Sequence, residues 1–137
     1  MIPEANVIRP RVFLADDYDA FLDMETALLQ PYFDVVGVAQ DGASLVAAVE
    51  RLRPDVVIVD ITMPQMGGID AVHRLVQSGS HARFVFLTAH AEEEFVKACL
   101  AEGAQGYVWK ARMKAHLVPA VYAALEGHPY VSPLTLG

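Results

Sequence analysis

The chain has 137 residues, 54% hydrophobic and 20% charged, which is enough for one domain with a full core and too apolar for a disordered tail. Ten basic residues against seventeen acidic ones leave a net charge of −7, which argues against this chain gripping DNA or an anionic membrane surface by itself. No apolar run approaches the ~18 residues of a membrane span, and the first ten residues lack the basic start and apolar middle of a secretory leader, so a cytoplasmic protein with no membrane contact is expected.

In chain order, Arg11–Ala15 is the first apolar run and reads as a buried strand. Ala20, Phe21, Met24 and Leu28 then follow at helical spacing, ended by Pro31. Phe33–Ala39 is a more broken run, suited to a sheet edge, and Leu45, Val46, Val49 and Leu52 form a second helical stripe before Pro54. Asp55–Val59, Arg83–Leu87 and Gly106–Trp109 are three further strands without strict alternation, as expected where both faces of a parallel sheet are covered. Between them, Ile69, Val72, Leu75, Val76 and then Phe95, Val96, Cys99, Leu100 mark two more helices. The lone Cys99 sits within such a face, so it reads as core and rules out an internal disulfide. A last helix is expected from about Ala115 to Gly127, because Pro119 is tolerated in a first turn and breaks a helix interior.

Five β-α units in succession predict an α/β, flavodoxin-like, doubly wound fold with a five-stranded parallel sheet in the order 2-1-3-4-5 and five helices. The domain is expected over residues 1–128, and Pro129, Ser132, Pro133 and Gly137 mark residues 129–137 as a linker stub or tail.

In such a fold ligands sit where the carboxyl ends of strands 1 and 3 diverge, and here those ends carry Asp16, Asp17 and Asp60. Two like charges ~5 Å apart repel by about 3 kcal/mol at an effective dielectric of ~20, so three carboxylates call for a cation. Hard oxygen donors without His or Cys favour Mg²⁺, which shares its shell with phosphate oxygens. Asp60, ending the run Val56–Val59, is the expected nucleophile of an acyl-phosphate reaction. Thr88 ends strand 4 and Lys110 follows strand 5, so a hydroxyl donor and a cation for phosphoryl oxygens are expected on the same rim.

Asp16-Asp17, VIVDITMPQMGG from Val57 to Gly68, LTA from Leu87 to Ala89, and GYVWK from Gly106 to Lys110 stand in the order found in response-regulator receiver domains, which the chain resembles over about residues 10–128. The resemblance implies that Asp60 accepts a phosphoryl group from a sensor histidine kinase or phosphotransfer protein, the chain catalysing its own phosphorylation and dephosphorylation. It implies that Asp17, Asp60 and the Thr62 carbonyl bind Mg²⁺, with Asp16 assisting through water. Thr88 and Lys110 would contact the phosphoryl oxygens, Tyr107 would turn inward as Thr88 moves, and the surface of helix 4, strand 5 and helix 5 would change. Thr62 and His90, two residues beyond Asp60 and Thr88, would tune the lifetime of the signal.

Two positions depart from the family's pattern: Ala111 stands where Pro is common after the lysine, and Gly67 where Asp or Asn is common. Lys110-Ala111 together with LEGHPYVSP from Leu125 to Pro133 resembles the NarL/FixJ type, in which the receiver precedes a helix-turn-helix DNA-binding domain. That implies an output in transcription through a domain outside this chain, with homodimerisation on phosphorylation; a stand-alone receiver, or an interaction module that is never phosphorylated, is the alternative. Two other classes fit less well. A Mg²⁺-dependent phosphohydrolase with an Asp nucleophile carries a second acid two residues on, where Thr62 stands, and an FMN carrier needs a phosphate loop where ADDYDA would repel phosphate. His73, His81, His116 and His128 show no metal-like grouping and read as surface residues.

Overall fold

A computed structural model of the chain describes residues 8–89 and 93–132. The elements are β1 (Arg11–Ala15), α1 (Asp19–Leu29), β2 (Asp34–Ala39), α2 (Gly42–Leu52), β3 (Val56–Val59), α3 (Gly68–Gln77), β4 (Arg83–Thr88), α4 (Glu93–Ala101), β5 (Gly106–Trp109), α5 (Met113–Leu125) and β6 (Tyr130–Val131). A turn of 3-10 helix, Lys110–Arg112, joins β5 to α5. The sheet is parallel throughout in the order β2-β1-β3-β4-β5-β6. The expected doubly wound fold and strand order are present, with one strand added at the β5 edge.

Alternate residues of each strand feed two cores. Phe13, Ala15, Val57, Val59, Phe84, Phe86 and Tyr107 face α2, α3 and α4. Val12, Leu14, Val56, Ile58, Val85, Leu87 and Val108 face α1 and α5. Burial on both faces explains why these strands lack alternation in the sequence. The broken β2 run is an edge, paired to β1 alone, with Val38 about half exposed.

Local chemistry fixes the helix ends. Asp41 caps α2 by accepting from the Ser44 N–H at 2.8 Å, and Arg53 closes it in the left-handed conformation ahead of Pro54. Gly42 and Gly68 are close-approach positions: a Cβ would stand 2.2 Å from the Met66 carbonyl oxygen at the first and 2.0 Å from the Asp60 carbonyl oxygen at the second. The α2–α3 contact and the turn after β3 therefore require their absence of side chain.

Three expectations are corrected. Helix α5 starts at Met113, not near Ala115, which puts Pro119 inside it. The proline leaves the Ala115 carbonyl without its helical donor, and burial of Leu117, Ala120, Val121 and Ala124 outweighs that loss. The buried stripe of α1 is Leu22, Glu25 and Leu29, one position round from the stripe read in the sequence, and Met24 is exposed. Counting Glu25 as polar hid the true face. His116 is half-buried and bonded to Ser132, whereas His73, His81 and His128 are exposed as expected.

Candidate functional site

The rim at the carboxyl ends of β1, β3 and β5 is built by the sheet itself. The Asp60 N–H donates to the Ala15 carbonyl at 2.9 Å and the Asp16 N–H to the Ala39 carbonyl at 3.0 Å, each continuing the ladder by one step beyond the strand. The side chains of Asp16, Asp17 and Asp60 are thereby gathered, with one carboxylate oxygen from each within 4.8 Å of the others. Asp16 and Asp60 are buried and Asp17 is exposed, so the cluster opens to solvent on one side.

Lys110 completes it. Its ammonium lies 2.6 Å from Asp16 Oδ2 and 3.3 Å from Asp60 Oδ2, and sits 4.0 Å from the centre of the Phe21 ring. Burial opposes the lysine's charge, but the two carboxylates outweigh that and hold its pKa above the ordinary value. The Asp60 carboxyl is raised by burial, drawn back down by Lys110 and pushed up again by Asp16, with a net upward shift. Asp60 Oδ1 also accepts weakly from the Thr62 N–H at 3.4 Å, and Asp16 Oδ1 takes the Tyr18 N–H at 3.0 Å.

The donor set fits Mg²⁺: three carboxylates with, among the described residues, no His or Cys in the cluster, one side open to solvent, and an Asp16 Oδ2 that lies 2.6 Å from the Lys110 ammonium. Thr88, at the end of β4, and Tyr107, in β5 beside it, are both fully buried. Thr62 is exposed at the mouth of the β3 loop, and His90 lies outside the described residues.

The sequence reading missed Glu25. Its side chain is 1% exposed on α1, close to Asp16, and burial first and the Asp16 charge second push its pKa up to about 9. An acid at the i+3 position between Leu22 and Leu29 was the available signal. Phe21 under the lysine was also missed, because an aromatic at helical spacing reads as core.

Residues 12–122 match the family described as the response regulator receiver domain. DegU of Brevibacillus brevis, a transcriptional regulatory protein, is 31% identical over 97% of this chain, which spans 57% of that protein's length. The signal receiver domain of the putative response regulator NarL from Mycobacterium tuberculosis superposes with a TM-score of 0.85 at 28% identity, covering 89% of this chain and 100% of that one. A chain of the CheX-CheY-BeF3-Mg+2 complex from Borrelia burgdorferi gives a TM-score of 0.82 at 27% identity, over 89% of this chain and 93% of that one. These relatives support the likeness to NarL/FixJ-type regulators that the segment after Lys110 carries. A match over most of the length, meeting a parallel sheet whose carboxyl edge holds acids and a lysine, leaves one assignment: the chain belongs to the receiver-domain family of two-component response regulators.

Proposed function

We propose that this receiver takes a phosphoryl group onto Asp60 from a histidine kinase or phosphotransfer protein, the class of partner with which response-regulator receivers interact. The observation that carries the reading is the placement of Asp60 between two further acids and the Lys110 ammonium at 3.3 Å. An ionised Asp60 oxygen attacks phosphorus in line, the P–O bond forms as the P–N bond to the donor imidazole breaks, and the leaving imidazole takes up a proton. Bound by Asp16, Asp17, Asp60 and the Thr62 carbonyl, Mg²⁺ would supply charge neutralisation between the two anions. Lys110 meets one phosphoryl oxygen as a point charge and the Thr88 hydroxyl donates to another.

The acyl phosphate carries about −1.5 to −2 where the carboxylate carried −1, and that extra charge, with the bulk of the phosphoryl group, is the signal. It draws Thr88 and Lys110 toward position 60, and the Tyr107 ring, already fully buried in β5, is held in that position by the shifted Thr88. The α4-β5-α5 surface then changes and is read by a second copy of the chain or by an output domain. The name of DegU and the 57% of its length that this chain spans favour a transcriptional output in a C-terminal domain beyond residues 129–137. Thr62, exposed beside Asp60, and His90, two residues beyond Thr88 in the sequence, set how readily water reaches the acyl phosphate. The chemistry and its partner belong to the cytoplasm, and no described helix is long and apolar enough to cross a membrane.

Incubation with acetyl phosphate and Mg²⁺, read by intact mass, tests this. One added phosphoryl group is expected, absent in Asp60→Asn. A rival reading, an interaction module that is never phosphorylated, draws on the Lys110 ammonium already bridging Asp16 and Asp60; an unchanged mass in Mg²⁺ would favour it.

A further inference from the structure

The strand read from sequence as part of a linker is tied to the backbone of β5, the strand that ends just before the lysine. The Tyr130 N–H donates to the Gln105 carbonyl at 2.9 Å and the Ser132 N–H to the Tyr107 carbonyl at 2.8 Å. The Ser132 hydroxyl, 1% exposed, accepts from the Trp109 N–H at 3.3 Å and is bonded to His116 Nδ1 at 3.0 Å. The Tyr130 ring meets the His116 ring edge-on, with centroids 6.0 Å apart. The chain after Gly127 is therefore clamped by the carbonyls of residues 105 and 107 and by the amide of residue 109, one residue from Lys110.

We infer that the β5 edge is a docking site for the segment Tyr130–Ser132, and that phosphorylation of Asp60 loosens it, so that the signal leaves the domain through its own C-terminal segment. The inference rests on Asp60 being the phosphoacceptor. Lys110 is anchored to Asp16 at 2.6 Å and reaches Asp60 at 3.3 Å. A phosphoryl group on Asp60 shifts that balance and pulls the end of β5 toward β3. The contact nearest the pull is the 3.3 Å bond from the Trp109 N–H to the Ser132 hydroxyl, just longer than the usual range for an N–H donor. A two-residue strand has little pairing to hold it, so loss of that contact and of its burial is a large fraction of what keeps it in place.

Linkage makes the claim testable in both directions, because a ligand that undocks the segment must bind more tightly when the segment is already undocked. Beryllofluoride with Mg²⁺ is the probe, its binding followed by ¹⁹F NMR, and amide hydrogen exchange is read at residues 130 and 132. The expected result is exchange about tenfold faster at both amides on adding the probe, with β1 and β3 unchanged. Ser132→Ala is expected to show fast exchange without the probe and to bind it about fivefold more tightly. Bound probe with unchanged or slower exchange at these amides, or equal affinity in Ser132→Ala, overturns the coupling alone. Absence of any bound ¹⁹F signal removes the phosphoacceptor reading and the coupling with it.

Discussion

Glu25 is held protonated by its surroundings, so replacing it by glutamine should stabilise the domain by an amount that grows with pH. In the folded chain its pKa is pushed from 4.5 up to about 9, by burial and then by Asp16. Between those two values the folded state keeps a proton that the unfolded state has released. The folded state then binds more protons, so its stability falls as pH rises, by about 1.4 kcal/mol per pH unit. Below pH 4.5 both states are protonated and the effect vanishes. From pH 5 to pH 8 the penalty carried by the glutamate grows by about 4 kcal/mol, set against a total stability of roughly 5–15 kcal/mol for a domain.

Glu25→Gln keeps the shape of the side chain and an amide able to donate to Asp16, and it carries no charge to bury. The difference between variant and parent should therefore be small at pH 5 and reach about 4 kcal/mol in favour of glutamine at pH 8. Urea unfolding in EDTA, followed by the fluorescence of the single tryptophan, Trp109, reads it directly. With a slope of ~2 kcal/mol per molar urea, the midpoint separation widens by about 2 M. Comparing two pH values cancels whatever the substitution does to packing. A separation that stays constant from pH 5 to pH 8 would refute the reasoning, for it would mean that Glu25 is already ionised, solvated or paired with Lys110.

Mg²⁺ at about a hundred times its dissociation constant should raise stability by roughly 2.7 kcal/mol in thermal melts, and Asp17→Asn, which removes the exposed donor, should abolish most of that gain. Gly68→Ala places a Cβ 2.0 Å from the Asp60 carbonyl oxygen, so a loss of about 1–3 kcal/mol in urea unfolding is expected together with slower phosphorylation by acetyl phosphate. Pro119→Ala restores a donor to the Ala115 carbonyl inside α5 at an exposed position, and a gain of about 2 kcal/mol is expected after the unfolded chain recovers some freedom.

What was legible in the sequence is what has strong local causes. Strands buried on both faces write themselves as unbroken apolar runs, and the ladder carries their last residues to the rim. The positions of Asp16, Asp60, Thr88 and Lys110 thus followed from register alone. What stayed hidden depends on long-range contacts. Glu25 lies on the α1 face that packs toward α5, and its acid character made that face look solvated. Pro119 is a breaker by local rule and is overruled by four buried neighbours on the same helix. Tyr130 and Val131 are two strand formers between prolines, too short to register until the β5 edge supplies their partners.

The hidden features share a cause that bears on function. Each sits where local preference and global packing disagree: a carboxyl buried beside like charge, a proline in a helix, a strand of two residues. Under the proposed phosphorylation, an added charge of about −1 at Asp60 would shift elements of that kind more readily than the well-packed strands β1, β3 and β4. A receiver needs both kinds of region. The strands hold one oxygen of each acid within 4.8 Å of the others, so the proposed phosphoryl transfer would need little reorganisation. Under the proposed function, the poorly satisfied elements, α1 beneath Asp16 and β6 beside Lys110, would be the ones whose equilibrium the new charge shifts. On that proposal the charge would act on both through the lysine that stands between Asp16 and Asp60 just after β5.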